Sequence, residues 1–209
     1  MEPLIDGEMA KSKNIIKNIC VFCGSRSGNS ENFKLKTEQL SKEMTKRGYG
    51  LVYGGGNVGL MGSISHGVAD NGGNVRGIIP ASLSQKEISG TTVGHLEVTS
   101  DMHSRKKIMY EGSDAIIALP GGLGTFDELF ESLTWIQLGI HSKPVGILNI
   151  DGYYTHLIEF LKHCAQSGFV DQHFIDAIVI SDDPVSLLDQ METKTPPQPF
   201  IKWVKPEQL

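Results

Sequence analysis

The chain has 209 residues, with 19 Lys and Arg against 24 Asp and Glu, a formal net charge of −5 and 39% hydrophobic residues. That length suffices for one well-cored domain, and no apolar run approaches the roughly 20 residues needed to cross a bilayer. The acidic balance excludes a general nucleic-acid or anionic-membrane binder, because both need a basic surface, while leaving room for a small anion held by local positive groups.

Residues 1–13 lack the apolar core of a secretory signal and read as a disordered tail, so a soluble cytoplasmic protein is expected, with residues 14–192 as its single domain. Asn18 to Cys23 reads as a buried strand. Residues three apart on a strand face opposite ways, so Cys20 and Cys23 read as small packing residues rather than a redox or zinc pair. The turn Gly24-Ser25-Arg26-Ser27-Gly28 follows. Next comes a helix from Glu31 to Arg47, capped by Ser30 and stopped by Gly48, with Phe33, Leu40 and Met44 at helical spacing. Leu51 to Tyr53 is a second strand that runs into Gly54-Gly55-Gly56 and a helix over Leu60 to Asn71. Val75 to Ile79 is a third strand, closed by Pro80, and the polar loop Ala81 to Gly90 has a length that points to function. A short strand at Leu96 to Val98 precedes a helix from Asp101 to Glu111, and the strand Ala115 to Leu119 precedes a helix from Thr125 to Leu138. Strands at Val145 to Leu148 and Ile178 to Ile180, with helices over Tyr153 to Gln166 and Pro184 to Met191, complete the set. Cys164 reads as a packing residue on the first of those two helices, and the proline-rich residues 193–209 read as an arm that is extended or disordered. Strand and helix in alternation imply a doubly wound, Rossmann-like three-layer α/β/α fold with a mostly parallel sheet.

In such a sheet ligands bind beyond the carboxyl ends of the strands, where Ser25-Arg26, Gly54 to Gly59 and Gly121 to Gly124 all fall. Gly54-Gly55-Gly56-Asn57-Val58-Gly59 satisfies the dinucleotide fingerprint literally. The acid that should hold the ribose about 20 residues later is missing, since the next strand ends Ile78-Ile79-Pro80. A dehydrogenase is therefore disfavoured, although the loop can still cradle part of a mononucleotide. Pro120-Gly121-Gly122-Leu123-Gly124 before a helix is an anion site in outline, because glycines admit close approach and helix starts present free N–H groups. Thr125 to Glu128 matches a capping box, and Glu128 can equally serve chemistry. Arg105 and Lys106 stand in the first turns of their helix, where the dipole penalises cations, which points to a ligand or carboxylate that wants them there. Phe126, Leu129, Phe130, Leu133 and Ile136 form the expected core stripe of the Thr125 helix, with Glu128, Glu131 and Trp135 on another face and Thr134 flanking the pocket. His156, Glu159 and His163 share a helix face but miss the usual zinc spacings, so no metal site is expected.

Three stretches together carry a resemblance: Gly54-Gly-Gly-Asn-Val-Gly-Leu-Met-Gly62, Met102-His-Ser-Arg-Lys106 and Pro120-Gly-Gly-Leu-Gly-Thr-Phe-Asp-Glu128. Thr134-Trp-Ile-Gln-Leu-Gly-Ile-His141 and Lys143-Pro-Val-Gly-Ile-Leu-Asn-Ile-Asp-Gly-Tyr-Tyr154 extend it, so that it runs from about Ile19 to Met191. The chain resembles the Lonely Guy family of cytokinin riboside 5′-monophosphate phosphoribohydrolases. The resemblance implies hydrolysis of the N-glycosidic bond of an N6-substituted adenosine monophosphate, without a cofactor, by a homodimer. It makes Arg105 and Glu128 the catalytic pair. The substrate contacts it implies are Glu87, Lys106, Gly122, Leu123, Gly124, Thr125 and Thr134, and Ser25, Gly55, Gly56, Gly121, Phe126 and Asp127 beside them are expected to bind substrate as well. Leu123 stands where an aromatic Tyr is common in the family, and Phe126-Asp127 where Leu-Glu is common. Family members have been labelled lysine decarboxylases, which would require pyridoxal phosphate on a lysine, and no lysine here has a recognisable setting for it. The alternative from another class is a non-catalytic nucleotide carrier of the molybdenum-cofactor carrier type.

Overall fold

A computed structural model of the chain describes residues 13–83 and 92–198. Residues 1–12 of the expected tail, the arm beyond residue 198, and loop positions 84–91 with Glu87 lie outside the described residues. The strands are β1 (Asn18–Phe22), β2 (Gly50–Tyr53), β3 (Val75–Pro80), β4 (His95–Thr99), β5 (Ala115–Ala118), β6 (Val145–Leu148) and β7 (Val179–Ser181). Between them run α1 (Glu31–Lys46), α2 (Gly59–Asp70), α3 (Met102–Glu111), α4 (Leu123–Gln137), a 3-10 turn (Ile150–Gly152), α5 (Thr155–Gln166) and α6 (Gln172–Asp176), and α7 (Pro184–Thr193) closes the series. No helix among the described residues is long and apolar enough to cross a membrane.

The sheet has seven strands in the order β4-β3-β2-β1-β5-β6-β7, and every pairing is parallel. Parallel sheets bury both faces, which is why β1, β2, β5 and β6 carry almost nothing but apolar residues. Two cores result. Ile19, Val21 and Cys23 join the cluster under α1, α2 and α7, while Cys20 and Phe22 join the one on the opposite face with Tyr110, Leu129 and Tyr154. The two cysteines are therefore divided by the sheet, as strand alternation requires.

Ser30 caps α1 through its side chain, accepting from the Asn32 amide at 3.2 Å, and Gly48 with φ 78° ends that helix. Some features depart from the sequence expectations. Helix α4 starts at Leu123, two residues early, with Gly122 as its cap, and α6 is a five-residue helix too short to leave a periodic signal. Thr193 ends α7 rather than opening the arm.

Candidate active site

The strand order reverses between β1 and β5: β1 leads outward to β2, and β5 leads outward to β6 on the other side. Such a switch point opens a crevice at the carboxyl ends of its two strands. Here the crevice is a cavity of about 550 Å3 lined by Gly24, Ser25 and Arg26 after β1 and by Gly121, Gly122 and Leu123 after β5, with Phe33, Leu60 and Tyr153 at its sides.

The start of α4 forms one wall. Its first intrahelical hydrogen bond runs from the Phe126 amide to the Gly122 carbonyl (3.1 Å), and no side chain caps it. Helix geometry therefore leaves the amides of Leu123, Gly124 and Thr125 without an intrahelical acceptor, an electropositive seat for an anion. A Cβ on Gly121 would fall 2.1 Å from the Thr125 hydroxyl and 2.9 Å from the Gly24 nitrogen, so only glycine fits. Thr125 is the third residue of the helix, not its cap, which removes the capping box read from Thr125 to Glu128.

The other glycine-rich helix start is closed. The amides of Leu60 and Met61, in the first turn of α2, donate to the Gly24 carbonyl at 3.1 and 3.4 Å. A Cβ on Gly59 would lie 2.4 Å from the Arg26 nitrogen, so the two loops are pressed together. Main chain thus takes up the amides of Leu60 and Met61, and Gly55 and Gly56 are buried. The first turn of α2 thus supports the β1 turn.

Arg105 and Glu128 meet beside the sheet edge. Arg105 Nη2 lies 3.5 Å from Glu128 Oε1, with both side chains about one-tenth exposed. The guanidinium is fixed by its Nε donating to the Ile78 carbonyl (3.1 Å), Nη2 to the Gly54 carbonyl (3.4 Å) and Nη1 to Met102 Sδ (3.2 Å). A Cβ on Gly54 would stand 2.1 Å from Nη2, so that glycine makes room for the arginine. Burial pushes the Glu128 carboxyl up to about 7, and the nearby Arg105 guanidinium only partly offsets it. Desolvation therefore outweighs the ion pair. The backbone of Glu128 is held as well, since the Tyr110 hydroxyl donates to its carbonyl at 2.7 Å.

Lys106 is next to the pair but committed elsewhere, its ammonium 3.1 Å from both Asp127 Oδ2 and Glu131 Oε1. Burial works against its charge, yet the bonds to Glu131 and Asp127 hold its pKa above the usual lysine range. Leu123 is fully open at the cavity mouth, with 85% of its surface exposed. Phe126 packs its ring against Tyr154 in the core (6.2 Å between centroids) instead of facing the crevice. Thr134 is exposed, and its hydroxyl donates back to the Phe130 carbonyl at 2.7 Å. Six residues on a helix amount to a turn and two-thirds, so Thr134 does not share the Glu128 face. The buried face of α4 is Thr125, Glu128, Leu129, Ser132 and Ile136, whereas Phe130 of the expected core stripe is exposed. Sequence reading missed Tyr153 as a wall of the cavity.

A family model described as "Possible lysine decarboxylase" matches residues 61–191. A protein of Oryza sativa subsp. japonica named probable cytokinin riboside 5′-monophosphate phosphoribohydrolase LOGL3 is 48% identical over 180 residues, covering 86% of this chain and 85% of that protein. Cytokinin riboside 5′-monophosphate phosphoribohydrolase LOG2 of Arabidopsis thaliana is 47% identical over 188 residues, 90% of this chain and 88% of its own. Among solved structures, the molybdenum cofactor carrier protein of Chlamydomonas reinhardtii superposes with a TM-score of 0.62 at 21% identity, over 83% of this chain and 94% of its own. The molybdenum cofactor binding protein of Rippkaea orientalis gives 0.61 at 26% identity, over 87% and 96%.

Proposed function

The chain belongs to the Lonely Guy family of phosphoribohydrolases, and from that membership we propose how its own residues cut the N-glycosidic bond of a cytokinin riboside 5′-monophosphate to give free base and ribose 5-phosphate. The carrying observation is the buried Arg105–Glu128 pair, 3.5 Å apart. The 5′-phosphate sits on the amides of Leu123, Gly124 and Thr125, which directs the ribose toward Glu128. As the C1′–N9 bond breaks, its electron pair leaves with the base, which takes up a proton, and the sugar gains oxocarbenium character. The ionised Glu128 carboxylate offsets that positive charge, and a water oxygen then bonds to C1′ and gives up its proton. Arg105, locked by two main-chain carbonyls, keeps the carboxylate turned to the sugar. Ser25 contributes from the facing loop.

The decarboxylase description does not suit the lysine nearest this pair. A Schiff base forms from a neutral amine, whereas Lys106 is held in its charged form by Asp127 and Glu131. A homodimer belongs to the same proposal, joined through the recess of about 570 Å3 whose lining includes Trp135, Ile140 and His141. The acidic net charge makes nucleic acid an unsuitable partner.

The test is multiple turnover. Purified protein with excess AMP or its N6-isopentenyl derivative is expected to release many equivalents of base, each matched by one ribose 5-phosphate. Tight binding with no base released would establish the carrier reading instead.

A further inference from the structure

Asp151, Gly152, Tyr153 and Tyr154 take no part in the chemistry above, yet they are tied to the turn on which it depends. They follow β6, and their two phenols reach across to the end of β5. The Tyr154 hydroxyl donates to the Leu119 carbonyl at 2.6 Å, and the Tyr153 hydroxyl to the Gly121 carbonyl at 2.5 Å. Between these two, the Pro120 carbonyl accepts from the Gly24 amide at 3.0 Å, and the Gly122 carbonyl accepts from Phe126 at 3.1 Å. Each carbonyl from Leu119 to Gly122 thus has its own donor.

In a trans peptide the carbonyl and the following N–H point in opposite directions. Fixing the Gly121 carbonyl therefore aims the Gly122 amide, the residue that caps α4. The Pro-Gly-Gly turn cannot fix itself. Gly121 has no room for a side chain, and around Gly122 nothing beyond its own chain neighbours lies within 4 Å of the Cβ position to brace it. Glycines also lose the most conformational freedom on ordering, so a constraint from outside the turn has a large effect there.

The phenols are themselves held. Tyr153 stacks edge-on against Phe33 (5.9 Å) and Tyr154 (5.0 Å), and Tyr154 against Phe126 of α4 (6.2 Å). The turn that carries them is pinned by Asp151, whose carboxylate accepts from the Ser30 hydroxyl at 2.7 Å and the Asn32 amide group at 2.6 Å. Asp151 has φ 52°, the one non-glycine with positive φ among the described residues, and so costly a backbone persists only where its surroundings enforce it. Asn149 accepts from the Tyr154 amide at 2.6 Å and completes the clamp.

We infer that Tyr153 is a positioning residue for the phosphate seat: by holding the Gly121 carbonyl it fixes the Gly122 peptide and so the direction in which the chain enters α4, whose first amides, Leu123 to Thr125, receive the 5′-phosphate. This rests on the reading that the start of α4 takes that phosphate. Tyr153→Phe removes the hydroxyl and keeps the ring packing, and the side chain is already 42% exposed, so the fold should survive. Steady-state kinetics with AMP, inhibition by ribose 5-phosphate, ribose and adenine, and thermal melting are measured on wild type and variant. The variant is expected to raise the KM for AMP and the Ki of ribose 5-phosphate about fivefold to tenfold, the weight of one hydrogen bond. Its Ki for adenine and its melting point should stay near those of wild type. An unchanged Ki for ribose 5-phosphate, or equal weakening toward ribose 5-phosphate and adenine, overturns the inference. If wild type binds ribose as well as ribose 5-phosphate, the phosphate seat itself is wrong and the inference falls with it.

Discussion

Replacing Glu128 with Gln isolates the charge of the carboxylate from its shape. The side chain has no capping duty, because α4 starts at Leu123 with Gly122 as its cap, so an amide of nearly the same size leaves the helix start untouched. Burial raises the carboxyl from 4.5 to about 7, and each unit corresponds to about 1.4 kcal/mol. Ionising Glu128 within the fold therefore costs about 3 kcal/mol relative to the unfolded chain. Below pH 4.5 the group is protonated in both states and costs nothing. As pH rises the unfolded chain ionises first, so wild type loses stability steadily until the folded value of about 7 is passed. The Gln variant has no such slope. His141, whose pKa burial lowers to about 4, titrates in both proteins and cancels in the difference. Urea denaturation at pH 5 and pH 8 should show Glu128→Gln gaining roughly 2–3 kcal/mol on wild type between the two conditions. Base release from AMP should fall at least about 100-fold, the scale of losing one charge-stabilising group in an active site. The reasoning is refuted by a stability difference that does not move with pH, or by turnover kept within tenfold.

Two further outcomes follow from the same geometry. Because the ionised carboxylate is the working form and its folded value is about 7, kcat/KM for AMP should rise with pH below neutrality and level off above it, and a profile that falls through that range would make Glu128 a proton donor instead. Gly54→Ala places a methyl 2.1 Å from Arg105 Nη2 and must displace the guanidinium, so kcat/KM should drop by at least about tenfold while circular dichroism stays native-like; full activity would mean the arginine geometry is irrelevant.

Much of this was legible in the chain itself. The central strands β1, β2, β5 and β6 are short, almost purely apolar runs, and glycine or proline punctuates nearly every junction, so the alternation and the parallel sheet could be seen in advance. Arg105 stood out for a physical reason: a cation placed against the helix dipole needs a local partner, and Glu128 is that partner. The start of α4 misled because Leu123-Gly124 looks like loop and Thr125-Phe-Asp-Glu128 looks like a cap, whereas glycine at the cap is tolerated and the helix simply begins earlier. The core stripe of α4 misled because apolar spacing could not reveal that Glu128 and Ser132 lie inward while Phe130 faces out. The tyrosine clamp left no local trace. Tyr153 and Tyr154 meet carbonyls 32 and 35 positions earlier in the chain, and such a contact exists only once β5 and β6 are side by side.

The central claim is that a carboxylate addresses the sugar of a nucleotide anchored by its phosphate. It is tested most directly by comparing kcat/KM for AMP and for adenosine at pH 8, with release of adenine as the readout. Anchoring at Leu123 to Thr125 predicts that AMP is favoured by at least about 100-fold, since binding energy from the remote phosphate is used to orient the reacting ribose. Equal values for the two substrates would contradict it.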